Sequence, residues 1–585
     1  MYQRHYFIPK DSGTLADTLL AFGLAQFLED IVTQIQGPDT ARVVLEDFGG
    51  YYRIDAGVEI QEDWPERLHP WDRVPYLLGG KIKEPPAEAP DLPTRNVDEE
   101  WDRLRRYNEQ RKVLNEKKIV GDELTNALAD LKPSYDWTVV TFLGDYRMQV
   151  QGIYNKLVLQ WRLSSQEHLA LNVRTILGMF ATLDAPVAEL VAVWRKEAGK
   201  AFDLTVTASQ VLNPHMGKGH NRAKPNRFGL GNEHNFWLSE YLKIMGIWLA
   251  VAPRQPAKNL RKTYALSPRR LGLRDHKAIF RGFQEKLWNE TAVKMDIIAS
   301  LLYTQELLAH SAESAAIGLF AKRRVSRLVA GMDVASYQLL SANSYTMMNL
   351  AFLGLPDWMP HIRNREDVQV FQEILAEHHS RIRSIDESRS EGYNLLLRYR
   401  DFVSGDDLDA FFDFLAEYGS FFISELERSH FYIKPFTETN LRRLITMSHP
   451  KLSPILQNPG FRNIADAIRR STVIPQYIGR QQSQYDVRYG LGQELKRKAQ
   501  YPDEFIKALT DFIHSYNEEN ARVYERTKGK GIRRKSVTTT DIEQVVALVD
   551  EYGSKTVANL LIAFGYARDP KEKETDSEAS NADEA

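Results

Sequence analysis

The chain has 585 residues, 76 Lys+Arg against 78 Asp+Glu, 43% hydrophobic residues and no cysteine, which describes a near-neutral globular protein large enough for several cores. The absence of cysteine excludes a disulfide scaffold, a thiolate nucleophile, an iron–sulfur cluster and any cysteine zinc finger, and it fits a reducing, cytoplasmic location. The longest apolar run, Ile244 to Ala252, is well short of the ~20 residues that span a bilayer, and the first residues lack the apolar core of a signal peptide.

Thr14 to Ile35 carries Leu15, Leu19, Phe22, Phe27 and Ile31 at helical spacings, with Thr14 and Asp17 as a capping pair, and predicts a buried amphipathic helix. Val43–Phe48 and Tyr51–Ile60 alternate apolar and polar residues across Gly49-Gly50, the pattern of two strands joined by a turn. Pro85, Pro86, Pro90 and Pro93 make Glu84 to Asn96 a linker or surface loop. A charged helical stretch runs from Val97 to Leu131, Trp137 to Leu143 (WTVVTFL) reads as the last convincing strand, and Gln166 to Lys200 is helical again. From Arg365 onward the long helical patterns Glu366–Ile385, Leu408–Arg428, Asp503–Arg526 and Asp541–Phe564 predict an all-α bundle, the last helix opening on Thr540 and Glu543 in capping-box spacing. The expected fold class is α+β: a mixed region over 1–365, a helical bundle over 366–568 and a disordered acidic tail over 569–585.

The most unusual stretch is Asn213 to Asn235, NPHMGKGHNRAKPNRFGLGNEHN. Glycine lets backbone approach a ligand closely, Lys218, Arg222, Lys224 and Arg227 can neutralise phosphates, and Asn221, Asn226 and Asn232 can bond base edges. The apolar helix that follows predicts an anchored loop. Immediately downstream, Arg254, Lys258, Arg261, Lys262, Arg269, Arg270, Arg274, Lys277 and Arg281 stand against the single acid Asp275; nine minus one gives +8, and one-sided charge favours a polyanion surface. A second basic region holds Arg462, Arg469, Arg470, Arg480, Arg488, Lys496, Arg497, Lys498 and the run Lys528 to Lys535.

The catalytic alternatives are weaker. His215, His220 and His234 with Glu233 suggest a metal-dependent nuclease, yet a glycine-rich loop lacks the helical geometry of H-E-x-x-H. Ser404-Gly405-Asp406-Asp407 resembles a metal-holding turn but precedes an amphipathic helix, so a helix cap is expected. His378-His379 sits on a charged helix and is expected to be solvated. There is no G-x-x-x-x-G-K-[ST], no G-x-S-x-G and no His-Asp dipeptide, so neither a catalytic centre nor a cofactor is expected.

The opening TLADTLLAFGLA (Thr14 to Ala25), the Gly/Asn/Lys/Arg loop from Asn213, RYGLGQELKRKA (Arg488 to Ala499) and YNEENAR (Tyr516 to Arg522) resemble the large subunit of type I CRISPR surveillance (Cascade) complexes, in the I-A/I-B-like branch. The branch with an N-terminal His-Asp nuclease is disfavoured by the missing dipeptide. The resemblance implies a non-catalytic subunit at the foot of a guide-RNA filament in an antiviral ribonucleoprotein. Guide–target pairing reads sequence there, while protein inspects a short adjacent motif in duplex DNA and helps to open it. The 213–235 loop would then inspect the motif, and Arg261, Lys262, Arg269, Arg270 and Arg274 would hold the duplex or the displaced strand. A small-subunit-like bundle would line the strand path with Arg469, Arg470, Arg480, Arg488, Lys496, Arg497 and Lys498. The implied partners are guide RNA, target double-stranded DNA, backbone and foot subunits and, according to subtype, small subunits and a helicase-nuclease or transposition proteins. A helical scaffold that binds only protein is the alternative from another class.

Overall fold

Alternation puts Tyr6 and Ile8 of β1 (His5–Pro9) on one face of the strand, and both are fully buried. The computed structural model describes residues 1–119, 121–216, 234–313, 325–356, 358, 362, 364–405, 407–428, 430, 432–475, 485–528 and 534–568. After β1 comes the helix Leu15–Gln36, whose cap Thr14 accepts from the Ala16 amide, while Asp17 accepts from the Ser12 amide. β2 (Val44–Asp47) and β3 (Tyr51–Asp55) follow as predicted, joined through Gly49 at φ 85°. β3 ends before Ile60 because the chain turns at Gly57, φ 81°. With β10 (Arg270–Gly272) these strands form an antiparallel sheet ordered β1-β3-β2-β10, with the helix Leu15–Gln36 packed on one face.

The proline-rich stretch is only partly a loop. Pro93 ends its run of prolines, and the next residues, β5 (Thr94–Asn96), keep their amides and pair in parallel with β4 (Tyr76–Leu78). The charged stretch forms the helices Val97–Glu116 and Gly121–Leu128. Trp137–Leu143 is a helix rather than a strand. Thr138 to Leu143 are all buried, so a short helix covered on every side produces the same unbroken apolar run as a buried strand.

β6 (Thr205–Thr207) pairs with β7 (His234–Phe236), and the helix Trp237–Ala250 follows directly. This helix crosses Leu15–Gln36 where Gly23 faces Leu242 and Gly246 faces Leu19; a Cβ at either glycine would overlap the opposing backbone carbonyl. A second antiparallel sheet, ordered β12-β11-β9-β8, consists of β8 (Val251–Ala257), β9 (Leu260–Pro268), β11 (Val329–Ser341) and β12 (Ser344–Gly354). The sequence pattern predicts no strand there. Prolines and cations interrupt β8 and β9, and a bulge between Ser336 and Tyr337 shifts the alternation of β11 against β12.

The chain separates into two units: Met1–Ala292 with Leu302–His310 and Val325–Leu355, and Val293–Leu301 with the described residues of 311–324 and from Pro356 onward. The second is built of helices from Arg365–Ser384 to Ser554–Gly565. The fold is therefore α+β, a mixed N-terminal region followed by C-terminal helices. Residues 569–585 lie outside the described residues. The expected helix from 541 to 564 is two, Thr539–Tyr552 and Ser554–Gly565, parted at Gly553, φ 83°. The capping box is Thr538 with Asp541 rather than Thr540 with Glu543, because Thr538 is the residue with extended backbone. His378 is core, not solvated: it is 1% exposed, its Nδ1 lies 2.6 Å from the Tyr399 hydroxyl, and Trp358, Phe402, Phe411 and Phe436 surround it. It follows Ile374 and Leu375 at helical spacing, which places it on the buried stripe. Among the described residues no helix is long and apolar enough to cross a membrane.

Candidate nucleic-acid interface

The Gly/Asn-rich segment leaves from and returns to one buried polar network. Lys218, Asn221, Arg222, Lys224, Asn226, Arg227 and Asn232 lie outside the described residues, but both stems are inside them. β6 and β7 bring the flanks together, with Thr205 opposite Phe236 and Thr207 opposite His234. Asn213 is fully buried and donates to Glu240 Oε2 at 2.8 Å, while Asn235 donates to Glu240 Oε1 at 2.9 Å and to Asn213 Oδ1 at 3.3 Å. Lys243, one turn on from Glu240, closes the network at 2.7 Å from Glu240 Oε1 and 2.5 Å from Asn213 Oδ1. A carboxylate with no exposed surface is tolerable only with such saturation by donors. A cavity of about 540 Å³ opens beside it, lined by Asp17, Phe180, His215, Met216 and Phe236 as well as Glu240 and Lys243. In the sequence the clamp asparagines stand out only as part of the segment's composition. Two charged residues three apart in the otherwise apolar helix Trp237–Ala250 are the signal that points to their partner.

The basic segment divides sharply. β9 lies between β8 and β11, and Arg261 to Pro268 are all buried. Arg261 and Lys262 are therefore not on a DNA-holding surface, which corrects their expected role: Arg261 pairs with Asp145 at 2.6 Å and Lys262 donates to the Ala292 carbonyl at 2.9 Å. Burial alone would raise the Asp145 carboxyl, yet hydrogen bonds from Arg147 and the charge of Arg261 hold it below its ordinary value. Arg254, 3% exposed, meets no carboxylate among the described residues. It donates to the carbonyls of Leu287 (2.9 Å), Gln284 (3.0 Å) and Pro253 (2.6 Å) and to the Thr138 hydroxyl (2.7 Å). The first two carbonyls end the helix Leu273–Lys286, whose negative pole faces the cation, but burial still lowers its pKa to about 9. Lys277 pairs with Glu29, and Arg281 with Glu285 at 3.2 Å.

Arg269 and Arg274 are exposed and carry no ion pair among the described residues. Arg270 is half exposed and reaches Glu46 at 3.1 Å. The +8 of the linear segment thus yields three arginines at β10 and the start of the next helix, with Lys258 exposed at the turn between β8 and β9.

The C-terminal basic region is largely neutralised by its own acids. Arg469 is a buried tie, not a strand-path residue: at 5% side-chain exposure it bonds Glu438 at 2.6 Å and the Phe564 carbonyl at 2.9 Å. Arg470 pairs with Asp466 (2.8 Å), Arg488 with Glu519 (3.4 Å), Lys496 with Asp413 (3.1 Å) and Lys498 with Glu504 (2.7 Å). Arg497 is exposed, and Arg480 lies outside the described residues. Arg534, from the run Lys528 to Lys535, is buried with its guanidinium 3.4 Å from the Tyr485 ring centroid.

His220 and Glu233 of the imagined metal cluster lie outside the described residues, and His234 is exposed on β7. Among the described residues no group of three or more His, Asp or Glu is placed to hold a metal. Asp407 caps the helix Leu408–Glu427, accepting from the Asp409 and Ala410 amides. No protein-family model matches the chain, and no curated protein matches it.

Proposed function

We propose that the chain is the non-catalytic large subunit of an RNA-guided DNA surveillance complex of the type I CRISPR kind, recognising the target-adjacent motif in double-stranded DNA and helping to unwind it and hold the strands. The observation that supports this most is the clamp: a glycine-rich basic segment held at both ends by Asn213, Asn235, Glu240 and Lys243. Fixed ends lower the ordering cost of a groove contact, as a recognition loop requires. In this reading Lys218, Arg222, Lys224 and Arg227 take phosphates or guanine edges, Asn221, Asn226 and Asn232 take base edges, and Arg269, Arg270 and Arg274 extend the phosphate contacts.

The partners are guide RNA, the target duplex and the protein subunits of the complex, in the cytoplasm. Along the bundle, Arg470, Arg488, Lys496 and Lys498 already hold carboxylates, so binding there exchanges one ion pair for another and contributes little sequence-independent affinity. The test is reversal of Lys218, Arg222 and Arg227 to Glu, with binding of a target duplex by the assembled complex as readout. Removing a base-reading side chain is expected to cost about 1–3 kcal/mol, and removing a phosphate-binding one to flatten the salt dependence. Unchanged affinity and motif preference would sink this assignment.

A further inference from the structure

The sheet β1-β3-β2-β10 has the helix Leu15–Gln36 on one face only. On the opposite face the register sets Phe7, Arg53, Glu46 and Arg270 in one row across all four strands. At the β2–β3 turn Phe48 and Tyr51 stack with centroids 5.2 Å apart and planes 6° from parallel. The Arg53 guanidinium lies 4.7 Å from the Phe48 centroid, and Phe7 meets Tyr51 edge-on at 6.0 Å. Phe48 is nevertheless 48% exposed. Arg53 and Arg270 both converge on the single carboxylate of Glu46. The neighbouring pairs Arg4–Asp55 and Lys10–Asp47 are neutral. Two arginines against one acid leave this aromatic face positive.

We propose that this face binds single-stranded nucleic acid, with an unpaired base stacking on Phe48 and the adjoining phosphates meeting Arg53 and Arg270. A flat ring flanked by guanidinium groups takes any base through its π-face, and only a strand whose bases are free of a duplex can offer one. An acidic peptide would satisfy the arginines but leave the ring pair without a partner of its own shape. The proposal rests on the sheet, independently of segment 213–235. Arg270 serves both interfaces, whereas Phe48 serves this one alone.

The experiment is fluorescence anisotropy of the full chain with labelled oligothymidylate and oligouridylate, against a hairpin duplex and an oligoglutamate peptide. Phe48→Ala is expected to weaken single-strand binding about tenfold. Phe48→Leu, apolar but unable to stack, should weaken it similarly, and Phe48→Trp should restore it. Circular dichroism and thermal melting check that each variant folds, which a half-exposed side chain permits. Phe48→Ala should leave affinity for the hairpin duplex unchanged, so failure of the loop assignment and failure of this one are separable. Unchanged affinity in Phe48→Ala, no single-strand binding by the unaltered chain, or preference for oligoglutamate over both oligonucleotides would each overturn the proposal.

Discussion

Arg254 to Lys262 and Arg269 to Arg274 belong to one basic stretch of sequence and end in opposite environments. The first part runs along β8 and β9, where three cations are buried against partners that include carbonyls, a hydroxyl and the Asp145 carboxylate. The second lies at β10 and the following helix start, where arginines face solvent. Both parts are rich in cations along the chain; what differs is whether neighbouring strands and helices cover them. A cation count therefore locates an electrostatic surface only after sheet order is known.

The largest effect that would sharpen this contrast comes from Arg254→Met. It strands three carbonyls and a hydroxyl in the interior, and urea unfolding of the full chain should show a decrease of about 4 kcal/mol. A decrease near that of a surface substitution would break the comparison. Next is Arg261→Ala, expected to cost about 2 kcal/mol, below the usual figure for a broken buried pair because Arg147 still holds Asp145 at 2.8 Å. A double-mutant cycle with Asp145→Asn measures the coupling.

Acid probes the buried side of the helix that carries Arg274. His276 is fully buried, and desolvation lowers its pKa from 6.5 to about 4. The unfolded chain therefore binds the extra proton between these values, so this contribution to stability is present above pH 6.5 and is lost as pH falls toward 4. Asp30, raised by burial to about 6, acts in the opposite direction between its ordinary value and 6. His276→Phe should flatten the decline of unfolding free energy on acidification; an unaltered slope would assign the acid sensitivity elsewhere. The smallest stability effect belongs to Arg269→Ala and Arg274→Ala, within about 0.5 kcal/mol. The same variants should weaken duplex binding and each lower the salt slope by about 1, a combination not expected of Arg254 or Arg261 variants that remain folded.

Local periodicity made much of the molecule legible. The helix Leu15–Gln36, the strand β2 with its turn into β3, and the helices Arg365–Ser384, Leu408–Glu427 and Pro502–Arg526 match their expected spans within a few residues, because side-chain spacing and glycine turns act over one or two turns of chain, while β3 is half its expected length. WTVVTFL misleads because burial on every side erases period. His378 misleads because a charged helix can still have one apolar stripe. The 213–235 segment is visible from its glycines, asparagines and cations. Its clamp is not, since Glu240 becomes the common acceptor of Asn213 and Asn235 only when β6 pairs with β7.

By itself the amino-acid sequence determined the α+β class, the helical C-terminal region, the absence of thiol chemistry and the existence of an unusual basic, glycine-rich segment, all properties of composition and short-range spacing. Only the tertiary structure decided which cations are surface and which are interior. It also brought Phe48, Tyr51, Arg53 and Arg270 onto one sheet face and joined two distant asparagines through one carboxylate. The physical reason is that desolvation and strand register depend on neighbours far away in the chain, which no local pattern encodes.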